Sequence, residues 1–183
     1  MSQGPWDAYE GIGHIVQAHT NLTEIKAAAD ILGRIGVPPG QIVLGTAFYG
    51  RSFQLTDSSC STPGCAFSGS GNPGSCTDSA GTLSYFEIRE IIAAQNPQVI
   101  HDAVDAVAYF VFGDNHDQWV SYDDATTFQQ KVEWANSVGL GSVMIWSADQ
   151  DDDLFSALEG LIGRTLPSLE SNLQGTQSSS AGQ

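Results

Sequence analysis

Residues 41–53, QIVLGTAFYGRSF, decide how the rest of the chain is read. The stretch opens with an unbroken apolar run, Ile42 to Phe48, rich in β-branched and aromatic residues. Such a run reads as a strand buried on both faces, as strands of a helix-covered parallel sheet are. It closes on the polar tip Tyr49-Gly50-Arg51. A second run of this kind, Ser142-Val143-Met144-Ile145-Trp146, stands about ninety residues on. The two are expected to be neighbouring parallel strands whose polar-tipped ends face one ligand site.

Working back from this stretch, residues 1–20 contain Gly4, Pro5, Gly11 and Gly13 and read as a loop carrying Trp6. A Trp in such a loop is either a sugar-stacking platform or a plug tucked under the loop. Asn21 is a good N-cap with Glu24 three residues on, and Leu22, Ile25, Ala28, Ala29, Leu32 and Ile35 recur at helical spacing. Gly36 and Pro38-Pro39 end that helix. Asn21-Leu22-Thr23 is also a glycosylation sequon, but capping accounts for Asn21.

Working forward, residues 57–81 form a loop full of Ser, Gly and Pro. Ser84 caps a helix that runs to about Ala94, and Asn96-Pro97 stops it. Residues 99–122 read as short antiparallel strands, with a turn at Gly113-Asp114-Asn115. Asp124 caps the next helix, striped by Phe128, Val132, Ala135 and Val138 and stopped by Gly139. After the strand at 142–148 comes a last helix with Leu154, Leu158, Leu161 and Ile162. The tail 167–183 is polar and small and is expected to be disordered. The order of helix, strand, insertion, helix, strand, helix is that of α/β architecture. It is the order of the last two strands of a (β/α)8 TIM barrel with flanking helices, carrying an α+β insertion. The expected divisions are 1–53 and 121–166 for the barrel segments, 54–120 for the insertion and 167–183 for the tail.

The chain has 183 residues, 41% of them hydrophobic, enough for one core. No stretch approaches the roughly 18 apolar residues of a membrane span. No basic start or apolar segment suggests a signal peptide, so either the chain stays inside the cell or its true N-terminus lies further upstream. Six basic against 21 acidic residues leave a net charge of −15, which argues against nucleic acid as partner. A neutral ligand such as a sugar polymer fits this balance better. Cys60, Cys65 and Cys76 crowd one loop, which suggests a disulfide and an oxidising compartment and leaves one thiol over. Zinc is the poorer alternative, since the spacing lacks a nearby His.

With these segments placed, the sequence resembles the C-terminal part of a glycoside hydrolase family 18 chitinase of the fungal killer-toxin-like subgroup. The resemblance rests on GPWDAYEGIG at 4–13, VLGTAFYGRSF at 43–53, DQWVSYDD at 117–124 and GLGSVMIWSADQDD at 139–152. It implies that Trp146 floors the sugar subsite where the bond is cleaved. It also implies that Tyr49 and Arg51 line the cleft and hydrogen-bond sugar, and that Trp6 stacks on the leaving-group side. The partner implied is chitin or a chito-oligosaccharide, cleaved with retention by a parent enzyme that is extracellular. No cofactor or metal is expected.

One departure from the family pattern is decisive. The family signature DxxDxDxE, whose Glu is the general acid and whose substrate acetamido group is the nucleophile, is not in these 183 residues. The run 102–109, DAVDAVAY, begins like it but has Val107 and Tyr109 where the third Asp and the Glu belong. The chain is therefore expected to lack catalytic residues of its own. It reads either as part of an enzyme whose other half supplies them, or as a non-catalytic chitin-binding remnant. Other constellations are weaker. Residues 149–153, DQDDD, begin like a calcium loop but have Leu154 and Gly160 where Gly and Glu are needed, so they read as a helix start. His14, His19, His101 and His116 read as surface or hydrogen-bonded histidines. Asp123-Asp124 reads as a helix start rather than an acid/base pair.

Overall fold

The computed structural model describes residues 13–166 as a mixed α/β structure. In chain order the elements are α1 (Leu22–Arg34), β1 (Val43–Ala47), β2 (Tyr49–Leu55), β3 (Phe67–Ser70), β4 (Thr82–Ser84), α2 (Tyr85–Gln95), β5 (Ile100–Asp102), β6 (Val107–Phe112), β7 (Gln118–Tyr122), α3 (Ala125–Val138), β8 (Ser142–Trp146) and α4 (Ser156–Ile162). The expected tail and the loop bearing Trp6 lie outside the described residues.

The helix starts follow their caps. Asn21 accepts a hydrogen bond from the backbone of Glu24, and Ser84 and Asp124 each form reciprocal capping boxes with Glu87 and Thr127. Asn96 and Gly139 take left-handed backbone conformations and end α2 and α3. At the start of α4, Asp151 accepts from the backbone of Ala157 and Leu158, and Asp152 accepts from Leu154 and Ser156. These acidic residues thus fill the helix-start role read from the sequence.

Two sheets share the described residues. β1 pairs in parallel with β8, with Ala47 opposite Trp146. The other strands form an antiparallel sheet in the order β3-β2-β7-β6-β5, with β4 pairing the first half of β2. The expected single strand over 42–48 is therefore followed at once by a second one. The chain turns at Phe48, whose N–H donates to the Trp146 carbonyl and whose own carbonyl accepts from Tyr85. Tyr49 onward then belongs to the antiparallel sheet.

That sheet is covered on both faces. On β6 and β7, Ala108, Phe110, Phe112, Val120 and Tyr122 point to a core shared with α2, α3 and α4. The alternate residues Tyr109 and Trp119 point to a second core with Val16, Phe53, Leu55, Cys65 and Phe67. Trp119 also donates its indole N–H to the Ser61 carbonyl at 3.0 Å.

The parallel pair departs from the reading of strands buried on both faces. β1 is buried on one face only, Val43 is 54% exposed, and β8 is largely exposed. The reason is that each strand has one neighbour among the described residues, so one edge and one face of each stay open. The apolar stripe of α1 is likewise only partly covered beyond Leu22, and Ile35 is 72% exposed. On α3, Val138 at the end of the expected stripe is exposed, whereas Lys131 is buried within it.

Candidate functional site

The carboxyl ends of parallel strands are where α/β sheets place ligands, and here the ends of β1 and β8 meet the start of β2. Thr46 locks the pair by donating its hydroxyl to the Met144 carbonyl at 2.9 Å. Trp146, the last residue of β8, is 65% exposed, and its peptide bond to Ser147 is cis. An indole so open at a strand end is an available platform for an apolar ring face.

Tyr49 and Arg51 stand two apart on β2 and so share one face. Gly50 between them faces the opposite way, where a Cβ would come within 2.7 Å of Ile88 Cδ1 and 2.8 Å of the Ser121 carbonyl oxygen. The glycine therefore lets β2 lie against α2 and β7 while its neighbours point to the cleft. The Arg51 guanidinium carbon lies 5.3 Å from the Tyr49 ring centroid, a cation–π distance. Arg51 Nη1 also donates to Thr82 Oγ1 at 2.8 Å. The His19 ring packs against Tyr49 at 5.0 Å with 25° between the planes.

Together His19, Thr20, Tyr49, Arg51, Met144 and Trp146 line a cavity of about 250 Å³. Its size is just below the roughly 300–1,000 Å³ of sites for drug-sized ligands, so it suits a single sugar-sized unit. A larger groove of about 700 Å³ runs between α1 and α3 beside Pro39, Ile42 and Leu140. Those residues precede β1 and β8, at the end of the sheet opposite the strand carboxyl ends.

Among the described residues that line the smaller cavity, Arg51 is the charged one and none is a carboxylate. Burial, then the positive charges of Arg51 and Lys131, push the His19 imidazole down from 6.5 to about 3, so it is neutral at ordinary pH. An aromatic floor, a phenol, a guanidinium and a neutral imidazole can hold an uncharged polar ring. They offer no acid to protonate a glycosidic oxygen.

Of the residues expected at the site, Tyr49, Arg51 and Trp146 come together in this cavity, and Trp6 lies outside the described residues. Cys60 and Cys65 form the disulfide, and Cys76 is a free, exposed thiol. Among the described residues no cluster of His, Cys, Asp and Glu is arranged to hold a metal ion. His101 bonds Asp124 at 2.5 Å and His14 is exposed against Phe67, both as surface residues. The reading of His19 is corrected. It is neither on the surface nor hydrogen-bonded, because the chain folds it under Tyr49 with both ring nitrogens unpartnered. Nothing in the spacing of a lone loop histidine signals that placement. Asp123 is buried against Lys131 rather than placed in the cleft.

Known proteins place this geometry in context. A family model for glycosyl hydrolases family 18 matches residues 2–151. The chain is 29% identical over 160 residues to Secreted chitinase LysM12 of Penicillium expansum, covering 80% of this chain and 11% of that protein. It is 36% identical over 128 residues to Chitotriosidase-1 of Mus musculus, covering 70% of this chain and 26% of that protein. The chain thus spans well under half the length of these relatives. Among solved structures it is similar to human YKL-39, a pseudo-chitinase with retained chitooligosaccharide binding properties. That match has a TM-score of 0.67 and 32% identity, covering 75% of this chain and 37% of that one. Among the described residues no helix is long and apolar enough to cross a membrane. Since the family model takes in most of the chain, the chain belongs to glycosyl hydrolases family 18.

Proposed function

We propose that this chain is the C-terminal part of a chitinase and forms one wall of a cleft that binds chitin or chito-oligosaccharide. On this reading β1 and β8 are the last two strands of a (β/α)8 barrel. The segments 1–53 and 121–166 carry its barrel parts, 54–120 is the α+β insertion, whose sheet also takes in β2 from Tyr49 and β7 as far as Tyr122, and 167–183 is a tail. Trp146 floors the cleaved subsite, Tyr49 and Arg51 fix the sugar's orientation, and Trp6 stacks on the leaving-group side. The rest of the barrel is the natural partner, and it supplies the general acid for retaining, substrate-assisted hydrolysis of β-1,4-linked N-acetylglucosamine. The edges of β1 and β8 left open among the described residues and the half-covered stripe of α1 are what such a partner would cover. The disulfide and the secreted relative favour an extracellular setting.

The observation that carries this reading is the cavity that joins Trp146 to Tyr49 and Arg51. Its test is tryptophan fluorescence of the purified chain titrated with chitotetraose, beside Trp146→Ala. A saturable change that disappears in the variant is expected, and no saturable change in the unaltered chain would refute the reading.

A non-catalytic binding role is the second reading, favoured by a cavity whose described lining carries no carboxylate and by the lack of a DxxDxDxE motif in these 183 residues. Either way the chain alone is expected to release no product from chitotetraose. Measurable turnover by the purified chain would contradict this. An in-frame DxxDxDxE in upstream genomic sequence would favour the enzyme part over the remnant.

A further inference from the structure

His19 poses a question that its stacking on Tyr49 does not answer. Both of its ring nitrogens are buried without a hydrogen-bond partner, as is the hydroxyl of Thr20, and both residues line the cavity that holds Trp146. His19 is 9% exposed. A buried polar group left without a partner destabilises the fold, because it loses its hydrogen bonds to water and gains none. A phenylalanine would stack on Tyr49 as well and carry no such cost. Packing alone therefore does not explain an imidazole here, and local instability of this kind gathers where a ligand completes the site.

A neutral imidazole offers one N–H donor and one bare nitrogen acceptor, and the Thr20 hydroxyl offers both roles. The hydroxyl and acetamido groups of an N-acetylglucosamine unit present matching acceptors and donors without charge. We propose that His19 and Thr20 are a sugar-binding pair that hydrogen-bonds the polar edge of the unit resting on Trp146. This rests on the chito-oligosaccharide reading above and adds two residues to it. Burial, and then the positive charges of Arg51 and Lys131, hold the ring uncharged, which suits a neutral ligand. Both nitrogens are closed to solvent, so the contact forms when the ring turns toward the cavity it lines.

The test follows the histidine ring nitrogens of the full chain by ¹⁵N NMR during titration with chitotetraose, with His19 assigned from the spectrum of His19→Phe. The His19 signals are expected to shift saturably, in step with the tryptophan fluorescence. His19→Phe is expected to melt no lower than the unaltered chain yet bind about tenfold more weakly, the loss of one to two hydrogen bonds. Saturable binding with unmoved His19 signals would overturn the role of His19 and leave the binding reading standing. So would a folded His19→Phe of undiminished affinity. If the variant does not fold, assignment passes to Tyr49-directed through-space couplings in the unaltered chain, and the shift alone decides. Absence of any saturable binding would overturn both the reading and the pair.

Discussion

Lys131 Nζ donates to the Asp123 carboxylate in the interior, where neither side chain meets solvent, and also to the Ala106 carbonyl at 2.7 Å. The ammonium thereby ties α3 to the loop before β6 and to the end of β7. Burial pushes the lysine down, and Asp123 opposes that push by favouring the charged form. Removing one partner of such a pair strands the other. Lys131→Met is expected to lower stability by about 3–5 kcal/mol. The double variant Asp123→Leu/Lys131→Met should regain much of that loss, because no charge is then left buried. Urea denaturation of the three proteins measures both differences.

Glu87 anchors the loop before β4. Its carboxylate accepts the backbone N–H groups of Cys76 at 2.7 Å, Thr77 at 2.9 Å and Ser84 at 2.8 Å. Burial alone would raise its pKa, and these hydrogen bonds outweigh burial and hold it below 4.5. A depressed folded value means that the stabilisation is complete above the unfolded value and is lost as pH falls through the folded one. Glu87→Gln should cost about 2 kcal/mol at pH 7, since charged hydrogen bonds become neutral ones. The deficit should shrink as pH falls from 4.5 through the lower folded value, which denaturation midpoints across pH will show.

His19 supplies a second pH dependence over a different window. The unfolded ring takes a proton near 6.5 while the folded ring resists until about 3. Stability therefore falls as pH drops from about 6.5 to about 3, by an amount on the order of 4 kcal/mol, and is unaffected above that window. His19→Phe should flatten this slope. Thermal melts of both proteins between pH 7 and pH 4 make the comparison.

Capping chemistry is the part of the fold most legible in the sequence. Asn21, Ser84 and Asp124 announce their helices because the partner atoms lie within three residues of each cap. The parallel pairing of β1 with β8 and the nearness of Tyr49, Arg51 and Trp146 were also readable, from two apolar runs with polar tips. The break at Phe48 was not. Residues 42–53 contain no turn signal, and the change of sheet is set by bonds to Trp146 and Tyr85, far away in sequence. His19 was hidden for the same reason, since its burial depends on Tyr49 arriving thirty residues later. The exposure of Val43 and Ile35 escaped the reading because apolar periodicity tells which face seeks cover, and says nothing of whether cover is present.

The Cys60–Cys65 bridge closes a loop with a sequence separation of five. A loop of that size is worth about 2 kcal/mol through the entropy of the unfolded chain. Its opening also frees the Ser61 carbonyl that receives the Trp119 indole N–H. Cys60→Ser/Cys65→Ser should be less stable by about that amount. It should also shift tryptophan emission, while Trp146→Ala leaves the Trp119 component in place. Emission spectra and urea midpoints of the two variants provide the check.

The uneven covering of the two sheets gives the cleft walls different lifetimes. Tyr49 and Arg51 sit on a strand locked between neighbours, whereas Trp146 ends a strand that has one partner and an open edge among the described residues. Backbone amides of β8 will exchange with deuterium through small local openings, while those of β6 and β7 wait for complete unfolding. On warming, the floor of the cleft will loosen from its side wall before the molecule melts. On the proposed reading, affinity for chitotetraose will fade at a temperature where circular dichroism still reports an intact fold.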